Sequence, residues 1–338
     1  MRIREIKELL ARAAAKHVSS AEAEYFACEV VETEIRKPSP DKKYQDDIVK
    51  DITSWVGNAD PVKKRINLPG YSQYDFDGRG PSLKLKDIHD ELERKAKANG
   101  IAMISIINSG GMHVLHLWTQ GLAKRGLFAL GAWNGGPDAV VPINGTRGLF
   151  GTNPMTYGFP GDKGDIVIDM ATSELPYFKI VTAKKEGASL PERTAVDNKG
   201  ELTTDPRAAL DDAGVSNLLP MGGNYKGYNI NYLFEVMTSA LIGARASSQM
   251  SDDYIEPEHG GFIIAMDISK VTQRSSYDES MRSLNTKVRA QKPKAGVDQV
   301  DVPGDRNLRN MSGISDDTEF DMDAAYLSAL EALTGSEG

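Results

Sequence analysis

Ile3, Ile6, Leu9 and Leu10 recur at helical spacing, and Ser19-x-x-Glu22 forms a capping box ahead of Tyr25, Phe26, Val30 and Val31. Residues 1 to about 35 therefore read as two helices. From Arg36 to Ile52 the chain turns polar and holds Pro38 and Pro40, which remove backbone donors and push the preceding residues extended, so a helix should stop there. Asp77-Gly78-Arg79-Gly80-Pro81 breaks the next stretch, and the helix beyond it carries Ile88, Leu92 and Ala96 on one face and closes at Gly100. Ile101 to Ile107 is a nearly continuous apolar run, as expected of a strand covered on both faces. A helical segment from about Met112 to Arg125, stopped by Gly126, leads to a second buried strand at Leu127 to Ala132. Strand, helix, strand at this spacing is a βαβ-like pattern, so the middle of the chain is α/β.

The stretch from Asn134 to Pro160 is rich in Gly, Pro and Asn and supplies loops. The run Ile166-Val167-Ile168 then delivers Asp169-Met170-Ala171-Thr172-Ser173. A long helix is expected from about Lys226 to Ala244 with Tyr232, Leu233, Val236 and Leu241 on its buried side, followed by a strand at Phe262 to Met266. Asp321 to Leu333 reads as a closing helix.

With 338 residues, a prior of ~150 residues per domain gives about two units. We divide the chain into an N-terminal helical segment 1–75, a central α/β region 76–277, and a C-terminal segment 278–338 that returns to the first. The 40 Lys and Arg against 48 Asp and Glu leave a net charge of −8, which argues against a nucleic-acid partner because phosphate neutralisation needs a clustered basic surface. No apolar stretch approaches the ~18 residues of a membrane span, and the start lacks a secretory signal. The reading is a cytoplasmic, soluble, enzyme-sized protein. Cys28 is the only cysteine, which excludes a disulfide framework and a thiolate metal cluster; set between Phe26 and Val30, it is expected to pack inside.

The standard nucleotide and nucleophile signatures are missing. No G-x-G-x-x-G lies between a strand and a helix, no phosphate loop follows the G-x-x-x-x-G-K-[ST] pattern, and no G-x-S-x-G elbow occurs. Among five histidines, His113 and His116 stand three apart on a helical segment. That spacing admits acid–base work by one of them, a metal, or two structural imidazoles, and no metal is expected. His17 and His89 sit among charged helix residues and read as surface; His259 follows Glu256-Pro257-Glu258 in a loop and carries no signal. Two glycine-rich segments look more purposeful: Gly148-x-x-Gly151-Thr152-Asn153-Pro154, and Leu219-Pro220-Met221-Gly222-Gly223-Asn224-Tyr225-Lys226-Gly227. In the second, a lysine stands beside helix N-terminal amides, a sound arrangement for phosphate. Each also reads as a turn.

Taken in order, these segments resemble the type-2 malate/L-lactate dehydrogenases, a group that includes ureidoglycolate and sulfolactate dehydrogenases, diketogulonate reductase and the reductases of cyclic imino acids. Asp77-Gly78-x-Gly80, Lys95 to Ile101, Asn108-Ser109, Arg125-Gly126-Leu127, Gly151 to Pro154, Asp169 to Ser173, Thr203 to Pro206, Leu219 to Gly223 with Lys226-Gly227, and Pro303-Gly304-Asp305 carry the likeness over nearly the whole chain. The resemblance implies a homodimeric α/β fold with a non-Rossmann nicotinamide site and with its N- and C-terminal helices packed together. It implies NADH or NADPH bound by Asp169, Met170, Ala171, Thr172 and Ser173, by Asn224, Tyr225 and Lys226, and by Gly304, Asp305 and Arg306. It also implies hydride transfer to the α-carbon of a small 2-oxo or cyclic 2-imino acid.

Two histidine motifs of that family are altered here. Where it carries R-G-x-x-S-H-G, this chain reads Arg36-Lys37-Pro38-Ser39-Pro40-Asp41, keeping Ser39 and offering Asp41. Where it carries N-S-x-H-F-G, this chain reads Asn108-Ser109-Gly110-Gly111-Met112-His113, so Gly111 stands at the histidine position. Without a positioned acid, ketone reduction leaves an alkoxide, whereas a protonated imine already carries its proton. The altered site therefore favours an imine-type or repurposed substrate, with His113, His116, Ser39 and Asp41 as the replacement proton-handling residues. Two further readings on the same scaffold are a biosynthetic tailoring enzyme in which nicotinamide is bound but not turned over or is itself the substrate, and a catalytically silent homologue.

Overall fold

The computed structural model describes residues 1–338 except 39–42, 56–61, 113, 251–257 and 336–338, and only the backbone of 43, 44 and 46. Three helices open the chain, α1 (Ile3–Ala14), α2 (Ser20–Arg36) and α3 (Lys43–Ser54), ahead of the hairpin β1 (Lys63–Asn67) and β2 (Tyr71–Asp75). Then come α4 (Leu85–Asn99), β3 (Ile101–Ser109), α5 (His116–Lys124), β4 (Leu127–Trp133), β5 (Met155–Pro160), β6 (Asp165–Met170) and α6 (Tyr177–Glu186). A ribbon of β7 (Ala195–Val196) and β8 (Leu202–Thr203) and the short α7 (Pro206–Ala209) precede α8 (Tyr225–Thr238) and β9 (His259–Asp267). The chain closes with α9 (Ile268–Val271), α10 (Arg274–Arg289), α11 (Asp305–Met311) and α12 (Ala324–Gly335).

Seven strands form one sheet in the order β1-β2-β3-β9-β4-β5-β6. β3 and β4 each pair antiparallel with β9, so they run parallel to each other with α5 crossing between them and a late strand inserted in the gap. β2 is parallel to β3, and β6, antiparallel to β5, runs with β4. The carboxyl ends of β2, β3, β4 and β6 therefore share one edge of the sheet, the place where open α/β sheets bind ligands.

The capping box of α2 is in place: Ser19 Oγ accepts from Glu22 N at 3.3 Å while the Glu22 carboxylate takes the Ser19 amide at 3.0 Å. Gly100, at φ 84°, ends α4 in a conformation that L side chains rarely adopt. One hydrophobic core joins Ile6 and Leu10 of α1, Phe26 of α2, Leu92 of α4, Ile104 of β3 and Trp118 of α5 to Tyr326 and Leu330 of α12. The two ends of the chain are thus packed together, and Ile3 N donating to Thr318 O (3.0 Å) and Phe320 N to Met1 O (3.0 Å) fasten them.

Several expectations are corrected. The polar stretch before Ile52 contains α3, which is held by Ile48, Ile52 and Trp55 at helical spacing, all buried. The last six residues of the expected loop region form β5. Helix α8 is inverted relative to its hydropathy. It stops at Thr238 and buries Asn231, Phe234, Glu235 and Thr238, while Tyr232, Leu233, Val236 and the following Leu241 are exposed. Cys28 does not pack inside: it lies one turn after Glu24 on the exposed stripe of α2, opposite Phe26, Ala27 and Val30. His89 is not at the surface. It is fully buried, donates from Nε2 to the Trp118 carbonyl (3.2 Å) and takes the Tyr25 hydroxyl on Nδ1 (2.8 Å), and burial pushes its pKa down to about 3. Among the described residues, no helix is long and apolar enough to cross a membrane.

Candidate functional site

A cleft of about 870 Å³ opens on the edge of the sheet where β2, β3, β4 and β6 end. Its lining includes Gly110 and Gly111 after β3, Asn134 and Gly135 after β4, Thr152 and Pro154 before β5, and Asp169, Met170, Ala171 and Ser173 at the end of β6. Gly78 and Gly80 and the face of α3 bearing Asp47, Lys50, Asp51 and Ser54 form the opposite wall, with Lys37 at the exit of α2.

The strand end of β6 and the second glycine-rich segment lie side by side. Met221 N donates to Thr172 O at 2.8 Å and Glu174 N donates to Leu219 O at 2.9 Å. From below, α8 holds both them and the first glycine segment. Asn231 Nδ2 donates to Thr172 Oγ1 and to Gly151 O, both at 3.0 Å, and Asn153 Nδ2 donates to Glu235 Oε2 at 2.9 Å. Buried Glu235 also receives Ser247 N at 2.6 Å. These buried amides and carboxylate are the reason the inner face of α8 is polar: unpaired, the loop carbonyls would cost far more than the apolar area forgone. Gly227 lets α8 start against this layer, because a Cβ there would fall 1.7 Å from the Met221 carbonyl oxygen.

Asp169 is the electrostatic centre of the β6 end. Its carboxylate accepts from Leu115 N at 3.1 Å and lies 3.5 Å from His116 Nδ1, while Lys37 Nζ donates to its main-chain carbonyl at 3.2 Å. Burial alone would raise the Asp169 carboxyl; the approach of His116, the Lys37 charge and the Leu115 amide outweigh it and hold the carboxyl below its ordinary value. At 3.5 Å the His116 contact is long for a hydrogen bond.

Of the residues expected at a site, Asp169, Met170, Ala171 and Ser173 line the cleft, and Thr172 is buried beneath them. Asn224, Tyr225 and Lys226 are exposed at the start of α8, where Asn224 Oδ1 caps the helix on Lys226 N (2.8 Å); they adjoin the cleft segment but do not line it. Gly304, Asp305 and Arg306 open α11 away from the lining, with both oxygens of Asp305 held by Arg289 at 2.7 and 2.9 Å. His116 is buried at 1% exposure, between Asp169 and the Asn307 amide of α11 (3.4 Å to Nε2), and does not line the cleft. His113, Ser39 and Asp41 lie outside the described residues. Among the lining residues that sequence reasoning did not assign to a site are Lys37 and His259. Lys37 was hidden in an altered motif. His259 begins β9 beside the β3 exit, and its one signal was a histidine set immediately before a Gly-Gly-Phe strand start.

A family model described as malate/L-lactate dehydrogenase matches residues 47–330. The Δ1-pyrroline-2-carboxylate/Δ1-piperideine-2-carboxylate reductase of Pseudomonas putida is 36% identical over 199 residues, 58% of this chain and 56% of that protein. The Pseudomonas syringae pv. tomato reductase of the same name is 34% identical over 269 residues, 75% of this chain and 72% of that one. Sulfolactate dehydrogenase from Methanocaldococcus jannaschii has the same fold, with a TM-score of 0.81 over 98% of this chain and 96% of that one at 22% identity.

Proposed function

The chain belongs to the malate/L-lactate dehydrogenase family, and on that premise we propose that it is an oxidoreductase using NADH or NADPH to reduce the α-carbon of a small 2-oxo or cyclic 2-imino acid. The observation that carries this reading is the union of the β6 end with the Leu219–Gly223 segment at the carboxyl edge of the sheet, bordering a cleft. A volume of about 870 Å³ suits a sizeable small molecule, and glycine backbone at 78, 80, 110, 111 and 135 lets a ligand approach closely. The lining thus fits a nicotinamide dinucleotide, which when bound supplies a hydride. The seat we propose is Asp169 to Ser173, with Asn224 to Lys226 adjoining it; Gly304 to Arg306 stand away from the lining.

Next to that seat His116, backed by Asn307, lies against Asp169, and the bond from the Leu115 amide to the Asp169 carboxylate ties the end of β6 to the start of α5. Lys37 places one of its three N–H bonds on the Asp169 carbonyl, and its ammonium, lining the cleft, is a donor suited to a substrate carboxylate. We further read the exposed Tyr232, Leu233, Val236 and Leu241 as the contact face of a homodimer in the cytoplasm, since an apolar patch of this kind marks an association surface.

Fluorescence titration with NADH and NADPH tests the seat, and coenzyme oxidation with pyruvate, oxaloacetate and pyrroline-2-carboxylate tests the chemistry. Saturable quenching with turnover of at least one acid is expected. Absence of saturable binding of either coenzyme refutes the proposal.

A further inference from the structure

His116 is 1% exposed and does not line the cleft, so it stands out of reach of a reacting acid. Resting on the function proposed above, we propose that His116 is a positioning residue for the coenzyme seat: with Asn307 of α11 it holds Asp169, and through Asp169 it keeps two stretches of the cleft lining in register. Asp169 is the joint between those stretches. It lines the cleft together with Met170, Ala171 and Ser173, and its carboxylate accepts from Leu115 N at 3.1 Å, in the stretch that brings Gly111, Met112 and Leu115 to the lining. Leu115 is the N-cap of α5 and has no side-chain cap of its own, so the Asp169 carboxylate also supplies the negative charge that a helix start favours.

The hydrogen on the His116 ring is placed by its neighbours. Asn307 Nδ2 donates to the Val167 carbonyl at 3.1 Å, and because that carbonyl only accepts, the atom facing His116 Nε2 at 3.4 Å is the amide NH2. Nε2 therefore accepts, and the ring hydrogen sits on Nδ1, which faces Asp169 Oδ2 at 3.5 Å. Among the described residues, this buried Nδ1 has no hydrogen-bond partner of ordinary geometry. An unsatisfied buried donor is costly, and a small approach to the carboxylate would satisfy it, so ring and carboxylate draw together when the seat tightens on a ligand. Burial would raise the Asp169 carboxyl, and His116 is foremost among the groups that bring it below its ordinary value. Asn310, one turn after Asn307, donates to the Arg36 carbonyl at 2.9 Å, next to Lys37, whose Nζ reaches the Asp169 carbonyl. Two asparagines of α11 thus brace β6, α5 and the exit of α2 at once.

Two replacements in the whole protein separate positioning from mere packing. His116→Leu keeps the bulk and removes the donor; His116→Asn keeps an N–H at the place of Nδ1. Fluorescence titration with NADH and NADPH should show binding weakened by about 10–100-fold in His116→Leu and largely restored in His116→Asn. In the Asp169→Asn background His116→Leu should add little further loss, because the two residues act as one unit. Independently of coenzyme affinity, ring-nitrogen NMR, assigned by loss of the signal in His116→Asn, should show the Nδ1–H form in the wild type. That signal should shift when coenzyme binds, and Asn307→Ala should let the other tautomer appear. If His116→Leu fails to fold, Asn307→Ala carries the titration in its place, since it leaves ring and carboxylate in position. Thermal midpoints that fall alike in His116→Leu and His116→Asn while both coenzymes bind as in the wild type overturn the inference and leave the function standing. So do equal losses from His116→Leu with and without Asp169, or an Nε2–H ring that coenzyme does not disturb. A wild-type protein that binds neither coenzyme refutes the underlying function instead.

Discussion

Glu34 is a buried carboxylate whose replacement should stabilise the protein in a pH-dependent way. It lies 4% exposed on α2, facing Gln45 of α3 and Tyr326 of α12. Burial raises its pKa from 4.5 to about 7, and the hydrogen bond from Gln45 offsets only part of this. The folded state therefore holds the proton more tightly than the unfolded chain. The associated stability is full below pH 4.5, is lost as the pH rises towards 7, and stays lost above it. That rise corresponds to on the order of 3 kcal/mol. Glu34→Gln keeps the shape and removes the charge. Relative to wild type it should be near neutral at pH 4.5 and more stable by up to roughly 3 kcal/mol at pH 8.5, or about 4 °C in Tm for a chain of this size. Urea denaturation at the two pH values reads the difference directly, because every other titrating group is common to both proteins. An offset that is equal at both pH values, or a variant less stable at pH 8.5, would refute the assignment of a strained, ionised Glu34.

Asp169→Asn removes the charge that faces His116 and Lys37 and should weaken coenzyme binding by about 10–100-fold with little change in fold, as measured by fluorescence titration and circular dichroism. Gly227→Ala places a methyl group against the Met221 carbonyl and should cost about 1–3 kcal/mol in denaturant midpoints, together with a loss of coenzyme affinity because the neighbouring cleft segment shifts. Leu233→Arg puts a charge into the exposed face of α8 and tests the proposed homodimer: light scattering should give the mass of two chains for the wild type and of one for the variant, with secondary structure intact. With four carboxylates and two lysines around the cleft, a second substrate carboxylate at ~4 Å from an acidic neighbour is opposed by about 4 kcal/mol. Steady-state kcat/KM should accordingly rank pyruvate and pyrroline-2-carboxylate above oxaloacetate.

What was legible in the sequence was local and apolar. The Ser19–Glu22 box, the Gly100 stop and the runs that became β3, β4, β6 and β9 each depend on residues adjacent in the chain, and each formed close to where its pattern placed it. Other features were set by partners distant in sequence. α8 turns its hydrophobic side outward because Asn231 and Glu235 answer loop carbonyls and amides that hydropathy does not register. His89 reads as surface until the Tyr25 hydroxyl and the Trp118 carbonyl satisfy both of its nitrogens. β1 has no alternation to read, since all five residues are exposed, and Lys63, Lys64 and Arg65 occupy it as charged residues do on an edge strand. Lys37 and His259 acquire meaning only once β6 and β3 bring their neighbours to the same edge.

The retained and the altered parts of the site differ in what encodes them. The β6 end and the Leu219–Gly223 segment are joined through main-chain groups, Met221 N to Thr172 O and Glu174 N to Leu219 O, backed by buried side chains of α8. A surface substitution cannot remove such main-chain bonds, so the junction they make keeps its shape while the residues around it drift. The stretches in which the family's histidine motifs read differently follow α2 and β3 in the chain, and residues 39–42 and 113 of them lie outside the described residues. At such positions a single substitution can remove a function. A seat fixed by main-chain bonds can therefore persist while the acid or imine placed against it changes, and coenzyme titration set beside a screen of 2-oxo and cyclic 2-imino acids separates the two.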